Sequence, residues 1–83
     1  MARVKLRFFS LYSDVVGNEL SIELEDGSRL SDLIVTLYEK YPRLRTLFDR
    51  VKPLILVNGV ARDEEYIVKN GDEVAFIPPA SGG

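Results

Sequence analysis

An α+β fold, a small mixed sheet of four to five strands packed on one main helix, is the architecture this sequence predicts. Three observations carry the prediction. Apolar side chains alternate with period two near both ends of the chain, a central stretch carries them at helical spacing, and Gly-containing turns separate the segments. With one helix available, only one face of the sheet can be covered.

Val4, Leu6 and Phe8 alternate with Arg3, Lys5, Arg7 and Phe9, which predicts a half-buried first strand with the former three inward. Ser10 to Gly17 reads as a connection with room for one helical turn. Leu20, Ile22 and Leu24 then alternate with Ser21, Glu23 and Glu25 as a second strand, and Asp26-Gly27 ends it. Ser31 is the expected helix N-cap, Asp32 suits the positive end of the helix dipole, and Leu33, Ile34, Leu37, Tyr38 and Tyr41 recur at helical spacing. Pro42 disfavours helical geometry at Tyr41 and stops this helix. A second short turn from Arg43 to Arg50 carries Leu44, Leu47 and Phe48, with Arg43, Arg45, Arg50 and Lys52 as a solvated face.

Leu54 to Val57 reads as a buried strand running into a type I′ turn at Asn58-Gly59, with Val60 to Arg62 as the return. Asp63, Glu64 and Glu65 form an acidic knuckle, Tyr66, Ile67 and Val68 pack a further short element, and Asn70-Gly71-Asp72 turns the chain again. In the last strand, Glu73 to Ile77, Val74 and Phe76 face inward, and Pro78-Pro79 ends the ladder because proline has no N–H to donate. The order strand, strand, helix, strand, strand, strand closes naturally as a β-grasp. Its first and last strands lie parallel in the centre, since the helix supplies the right-handed crossover that a parallel pair requires. The expected division is a β-grasp domain over 1–77 and a flexible Gly-Gly tail over 78–83.

Composition narrows the chemistry. The 83 residues contain no Cys, His, Trp or Gln and one Met, so this chain alone offers no thiol nucleophile, disulfide, imidazole base, zinc finger, haem ligand or iron–sulfur cluster. A single domain of this length buries roughly 60 to 65 % of the surface its unfolded chain exposes, which leaves room for one core and a shallow or shared site. Eleven Lys and Arg against thirteen Asp and Glu, a net charge of −2, is the wrong balance for a dedicated nucleic-acid binder. The longest apolar runs, such as Leu54 to Val57, fall far short of the ~20 residues that span a bilayer, and the expected location is cytoplasmic, without membrane or nucleic-acid partners.

The chemically distinctive stretch is the end: Pro78, Pro79, Ala80, Ser81, Gly82 and Gly83. An α-carboxylate flanked by residues without Cβ is slim enough to lie extended in a channel that any side chain would block. A carboxylate is a poor electrophile and must first be activated by a phosphate leaving group. The chain has no G-x-x-x-x-G-K-[ST] loop to hold a nucleotide, so another protein must supply ATP. Alternation also places Phe9 and Ile77 on the face away from the helix, beside Arg7 and Ala75, with Ala61 or Arg62 at the border. An apolar patch beside a reactive tail is an expected docking surface, with Arg7 and Lys5 as its orienting rim.

The run Asn70-Gly71-Asp72-Glu73-Val74-Ala75-Phe76-Ile77-Pro78-Pro79-Ala80-Ser81-Gly82-Gly83 closely resembles the C-terminus of molybdopterin synthase small subunits, a sulfur-carrier family related to the thiamine sulfur carrier and to ubiquitin-like modifiers. Leu6, Phe8, Phe9, the Val57-Asn58 pair and the overall length fit that family too. The resemblance implies a ubiquitin-like β-grasp that binds no cofactor itself. Its Gly83 would be adenylated by an ATP-using activating enzyme related to ubiquitin activators, then converted to a thiocarboxylate by a sulfur donor protein. It also implies a larger partner, the synthase large subunit, which holds the pterin precursor and takes the sulfur; this chain would be a non-catalytic carrier and cosubstrate. Three alternatives stay open from the residues: a protein modifier using the same Gly83 adenylate, a carrier for thiamine or transfer-RNA thiolation, and a binding-only β-grasp with an inert tail.

Overall fold

The computed structural model describes residues 1–79. Its elements are β1 (Ala2–Phe8), a 3-10 turn (Ser10–Tyr12), α1 (Ser13–Val16), β2 (Glu19–Leu24), α2 (Leu30–Lys40), α3 (Pro42–Arg50), β3 (Leu54–Val57), β4 (Val60–Ala61) and β5 (Glu73–Ile77). The strands form one mixed sheet in the order β2-β1-β5-β3-β4. β1 runs parallel to β5 and antiparallel to β2, while β3 is antiparallel to both β5 and β4. This is the α+β, ubiquitin-like β-grasp that the element order predicts, with the first and last strands paired in the middle.

Alternation builds the core. Ala2, Val4, Leu6 and Phe8 of β1, Ile22 and Leu24 of β2, and Val74 and Phe76 of β5 all turn to one side of the sheet and are buried there. Over them lie Leu30, Leu33, Ile34 and Leu37 of α2 and Leu44 and Phe48 of α3, whose spacing keeps each set on one helix face. Aromatic rings close the end of the core nearest the C-terminus. Phe8 and Phe76, partners in the parallel register, stack with centroids 5.1 Å apart, and Phe48 lies 5.5 Å beyond Phe76. Tyr12 meets Phe48 edge-on at 5.0 Å and donates its hydroxyl to the Val51 carbonyl at 2.6 Å, tying the turn after β1 to the end of α3.

Three local expectations change. The N-cap lies two residues before Ser31: the chain enters through Arg29, whose N–H donates to Asp32 Oδ2 at 2.9 Å, so an acid reaching back replaces a hydroxyl cap. Arg43 to Arg50 is a full helix, because Pro42 occupies its first position, where a missing N–H costs nothing. β3 is not a buried strand, since Leu54 is 49 % exposed and Ile55 and Leu56 are half-buried. Only Val57 is buried, because no helix covers the outward side. In the short element at Tyr66 to Val68, Val68 is buried and Tyr66 packs half-buried against the core, while Ile67 is exposed and makes one bridge to Arg29. At Asn58-Gly59 the expected tight hairpin is present, with both residues at positive φ, 50° and 82°, as a type I′ turn demands.

One buried carboxylate organises the loops at the start of β5. Asp72, 7 % exposed, accepts from Asn58 Nδ2 at 2.9 Å, Tyr66 OH at 2.9 Å and the Lys69 N–H at 2.8 Å. Asn58 in turn accepts from the Glu73 N–H at 3.0 Å, so the hairpin is clamped to β5. Burial alone would push the Asp72 carboxyl up, but the Lys69 N–H, the Asn58 amide and the Tyr66 hydroxyl favour the ionised form and hold it below the usual carboxylate range. A depressed folded-state pKa contributes stability that is fully present above the unfolded value of about 3.9 and is lost as pH falls through the folded value. Asp72→Asn is therefore expected to lower stability at neutral pH, by ~1 to 3 kcal/mol for a buried network left part-satisfied. The same substitution should flatten the loss of stability below about pH 4, and urea unfolding at a series of pH values measures both effects.

Candidate functional site

The side of the sheet without helices is the surface the fold leaves free, and the registers fix what it displays. One row across the sheet reads Glu19, Arg7, Ala75, Leu56 and Ala61. The row on the side of the β1 and β5 starts reads Ser21, Lys5 and Glu73. Toward the β5 end, Ile77 pairs with Leu54, and Phe9 follows β1 on the same outward side. The face is thus divided. Its far half is charged but largely self-neutralised, with Lys5 3.8 Å from Glu19 and Arg7 3.6 Å from Glu73, whereas its near half is apolar: Phe9, Ala75, Ile77, Leu54, Leu56 and Ala61.

Phe9 is held out by the backbone that follows it. It stays extended at φ −123° and ψ 151°, after which Ser10 adopts φ 55° and turns the chain into the 3-10 segment. The Tyr12 N–H donates to the Phe9 carbonyl at 3.1 Å, and Ser13 Oγ donates to the Ser10 carbonyl at 2.6 Å, so the left-handed turn is braced on both sides. The ring is 41 % exposed, with the Arg7 guanidinium carbon 5.8 Å from its centroid. Beneath it, Phe8 anchors the strand in the aromatic stack.

Of the residues expected from the sequence, Phe9, Ile77, Arg7, Ala75 and Ala61 are brought onto this one face. Arg62 turns instead over the Tyr66 ring at 5.2 Å. Leu54 and Leu56 were not expected there. The signal was their own alternation with Ile55 and Val57, masked because all four are apolar. Pro78 and Pro79 continue directly from Ile77, while Ala80, Ser81, Gly82 and Gly83 lie outside the described residues. Six residues beyond Ile77 can reach at most ~20 Å.

Among the described residues there is no cluster of three metal-ligating side chains, and no helix is long and apolar enough to cross a membrane. The side chains of the apolar half supply no nucleophile or base. What the arrangement can do is dock: an apolar half at the point where the chain leaves the sheet, with an ion-paired half beside it that sets orientation.

The ThiS family model matches residues 6–83. A molybdopterin synthase sulfur carrier subunit from Chlamydomonas reinhardtii is 33% identical over 82 residues, which is 98% of this chain and 99% of the relative. The solution structure of small archaeal modifier protein 1 from Methanosarcina acetivorans superposes with a TM-score of 0.80 at 28% identity, covering 100% of this chain and 98% of that one. A chain from the protein–protein complex of subunits 1 and 2 of molybdopterin-converting factor from Helicobacter pylori superposes with a TM-score of 0.71 at 26% identity, covering 98% and 99%.

Proposed function

Since the chain belongs to the ThiS family, we propose that it is a sulfur carrier working as the small subunit of a molybdopterin synthase. In this reading an activating enzyme binds ATP, and the Gly83 carboxylate attacks the α-phosphorus, expelling pyrophosphate and leaving an acyl adenylate. A sulfur donor protein then delivers hydrosulfide, whose sulfur bonds to the acyl carbon as the C–O bond to AMP breaks, so one carboxylate oxygen is exchanged for sulfur. The pterin precursor held by the large subunit takes that sulfur, and water attacking the acyl carbon as its C–S bond breaks returns Gly83 as a carboxylate. The carrier contributes position: its sheet face fixes the start of the arm, and the Gly82-Gly83 end passes where a side chain could not.

The observation that carries this reading is the apolar half of the open face, built by Phe9, Ile77, Leu54 and Leu56 at the point from which Pro78-Pro79 departs. The pairing of the two converting-factor subunits in the Helicobacter complex supports a large-subunit partner. Incubation with activating enzyme, ATP and sulfur donor, followed by mass spectrometry, tests it. Exchange of oxygen for sulfur at Gly83 supports the carrier, and the exchanged protein should then deliver sulfur to the large subunit. The likeness to a small archaeal modifier favours a second reading, in which the same adenylate passes to lysines; isopeptide-linked products without sulfur exchange would replace the carrier with that role.

The docking half carries its own prediction. Phe9→Asp and Ile77→Asp each place a charge in the apolar half and should weaken large-subunit binding by ~1 kcal/mol or more, roughly fivefold in Kd. Neither side chain belongs to the buried set, so circular dichroism should show a folded domain. Calorimetric titrations giving wild-type affinity for both variants would remove this face from the interface.

A further inference from the structure

A second surface lies on the helical layer, away from the sheet face. α3 carries Arg43, Arg45 and Arg50, and Lys40 and Lys52 flank it; Asp49 is the one carboxylate between positions 40 and 52, in a chain whose net charge is −2. Lys5, Arg7 and Arg29 each have a carboxylate within 4.0 Å, whereas among the described residues none of these five cations does. Arg43 and Arg45 also stand in the first turn of α3, which contains no acid. A helix begins with its positive dipole end, so cations there are disfavoured unless something outside the helix compensates. Among the described residues Arg45 is partly compensated, with Asp49 one turn on and the Tyr38 centroid 6.0 Å away, whereas Arg43 has no carboxylate within 4.0 Å.

Arg43 and Arg50 are seven residues apart, about 10 Å along the exposed side of α3. Between them Val15 of α1 and Leu47, both half-buried, floor a groove of about 270 Å³ with Thr46 at its edge. An apolar floor between two cations ~10 Å apart fits an extended segment with carboxylates four residues apart and an apolar side chain midway, since positions i, i+2 and i+4 of a strand share one face and span ~13 Å, within reach of two long arginine side chains. Phosphates would satisfy the arginines and leave the apolar floor unused. The groove also lies toward the end from which the chain departs: Tyr12 holds the Val51 carbonyl just after α3, and β3 opens at Leu54 opposite Ile77. Because α3 packs on the covered side of the sheet, groove and open face can be occupied together. We propose that the α1–α3 groove docks an acidic, apolar-anchored segment of a partner protein, with Arg43 and Arg50 taking its carboxylates.

Fluorescence anisotropy with a labelled peptide containing Glu-Ser-Leu-Ser-Glu tests this on the full chain. Binding should fall at least tenfold for Arg43→Glu/Arg50→Glu and stay unchanged for Arg3→Glu, a cation on the other layer. Peptides with Gln-Ser-Leu-Ser-Gln or Glu-Ser-Ser-Ser-Glu should bind at least tenfold more weakly, because each lacks half of the recognition. Relief of the dipole conflict should raise the melting temperature of free Arg43→Glu by about 1 to 4 °C, so weaker binding together with higher stability separates docking from a structural role. Equal affinity of the double variant, equal loss in Arg3→Glu, or full binding by either control peptide would overturn the proposal. Displacement of the peptide by a single-stranded RNA oligonucleotide at lower concentration than by unlabelled peptide would also overturn it, in favour of a nucleic-acid surface.

Discussion

Deleting Gly83, or adding one residue after it, is expected to abolish thiocarboxylate formation while leaving the melting temperature within about a degree of wild type. The stability half of that expectation follows from the fold: the core, the sheet ladders and the aromatic stack are complete by Ile77, so residues after Pro79 are not needed to close them. The chemical half follows from reach and bonding. Deletion shortens the arm by ~3.5 Å and takes the carboxylate out of register with the adenylating site, and a misplacement of even 1 Å can cost on the order of a hundredfold in rate. Extension leaves Gly83 without a free carboxylate, its carbonyl closed in a peptide bond. Both variants keep the Phe9 and Ile77 face and should bind the large subunit with wild-type affinity. Thiocarboxylate formation by an extended chain, verified by mass as unprocessed, would exclude Gly83 as the reacting residue.

Phe76→Ala should have the largest effect on stability, a loss of roughly 3 to 5 kcal/mol. Phe76 is fully buried in the central strand, stacked on Phe8 at 5.1 Å and on Phe48 at 5.5 Å, so truncation removes a ring from the middle of a three-ring column. For a domain of this size the total is on the order of 4 to 12 kcal/mol, and the variant should be partly unfolded near body temperature. Docking should weaken in proportion to the unfolded fraction, since only the folded sheet assembles the open face. Urea denaturation followed by circular dichroism measures the loss. A cost below ~1 kcal/mol would mean that the column rearranges to fill the cavity.

The strands of this fold could be read from the chain because period-two alternation records a sheet covered on one side, and β1, β2 and β5 each show it. β3 was misread for the same physical reason: Leu54, Ile55, Leu56 and Val57 are apolar on both sides, which in a lone sequence means burial on both sides. Here the second apolar side is the open face, so the error and the docking half have one origin. Phe9, Ile77, Arg7, Ala75 and Ala61 could be placed together because parity on neighbouring central strands decides side. Other features depended on contacts that local pattern does not encode. Tyr12 reaches a carbonyl 39 residues away, and Asp72 gathers the hairpin and the loop before β5, neither of which a turn signal announces. Ser31 lost the capping position because Asp32 could reach back to the Arg29 N–H.

The parallel pairing of β1 with β5 also has a consequence for the order of synthesis. Arg3 donates its N–H to Asn70 across 67 residues of sequence, and the central ladder joins Lys5 through Phe8 to Glu73 through Phe76. Such non-local pairing comes late in folding, because the chain between must be closed before the contacts repay it. During translation β1 waits, with only β2 beside it, until nearly the whole chain has emerged. A nascent chain interrupted before β5 lacks the middle of its sheet and cannot assemble the open face. The strand that completes the domain is the one from which the terminal arm extends, so the presence of that arm on a finished chain certifies that the central strand has been made.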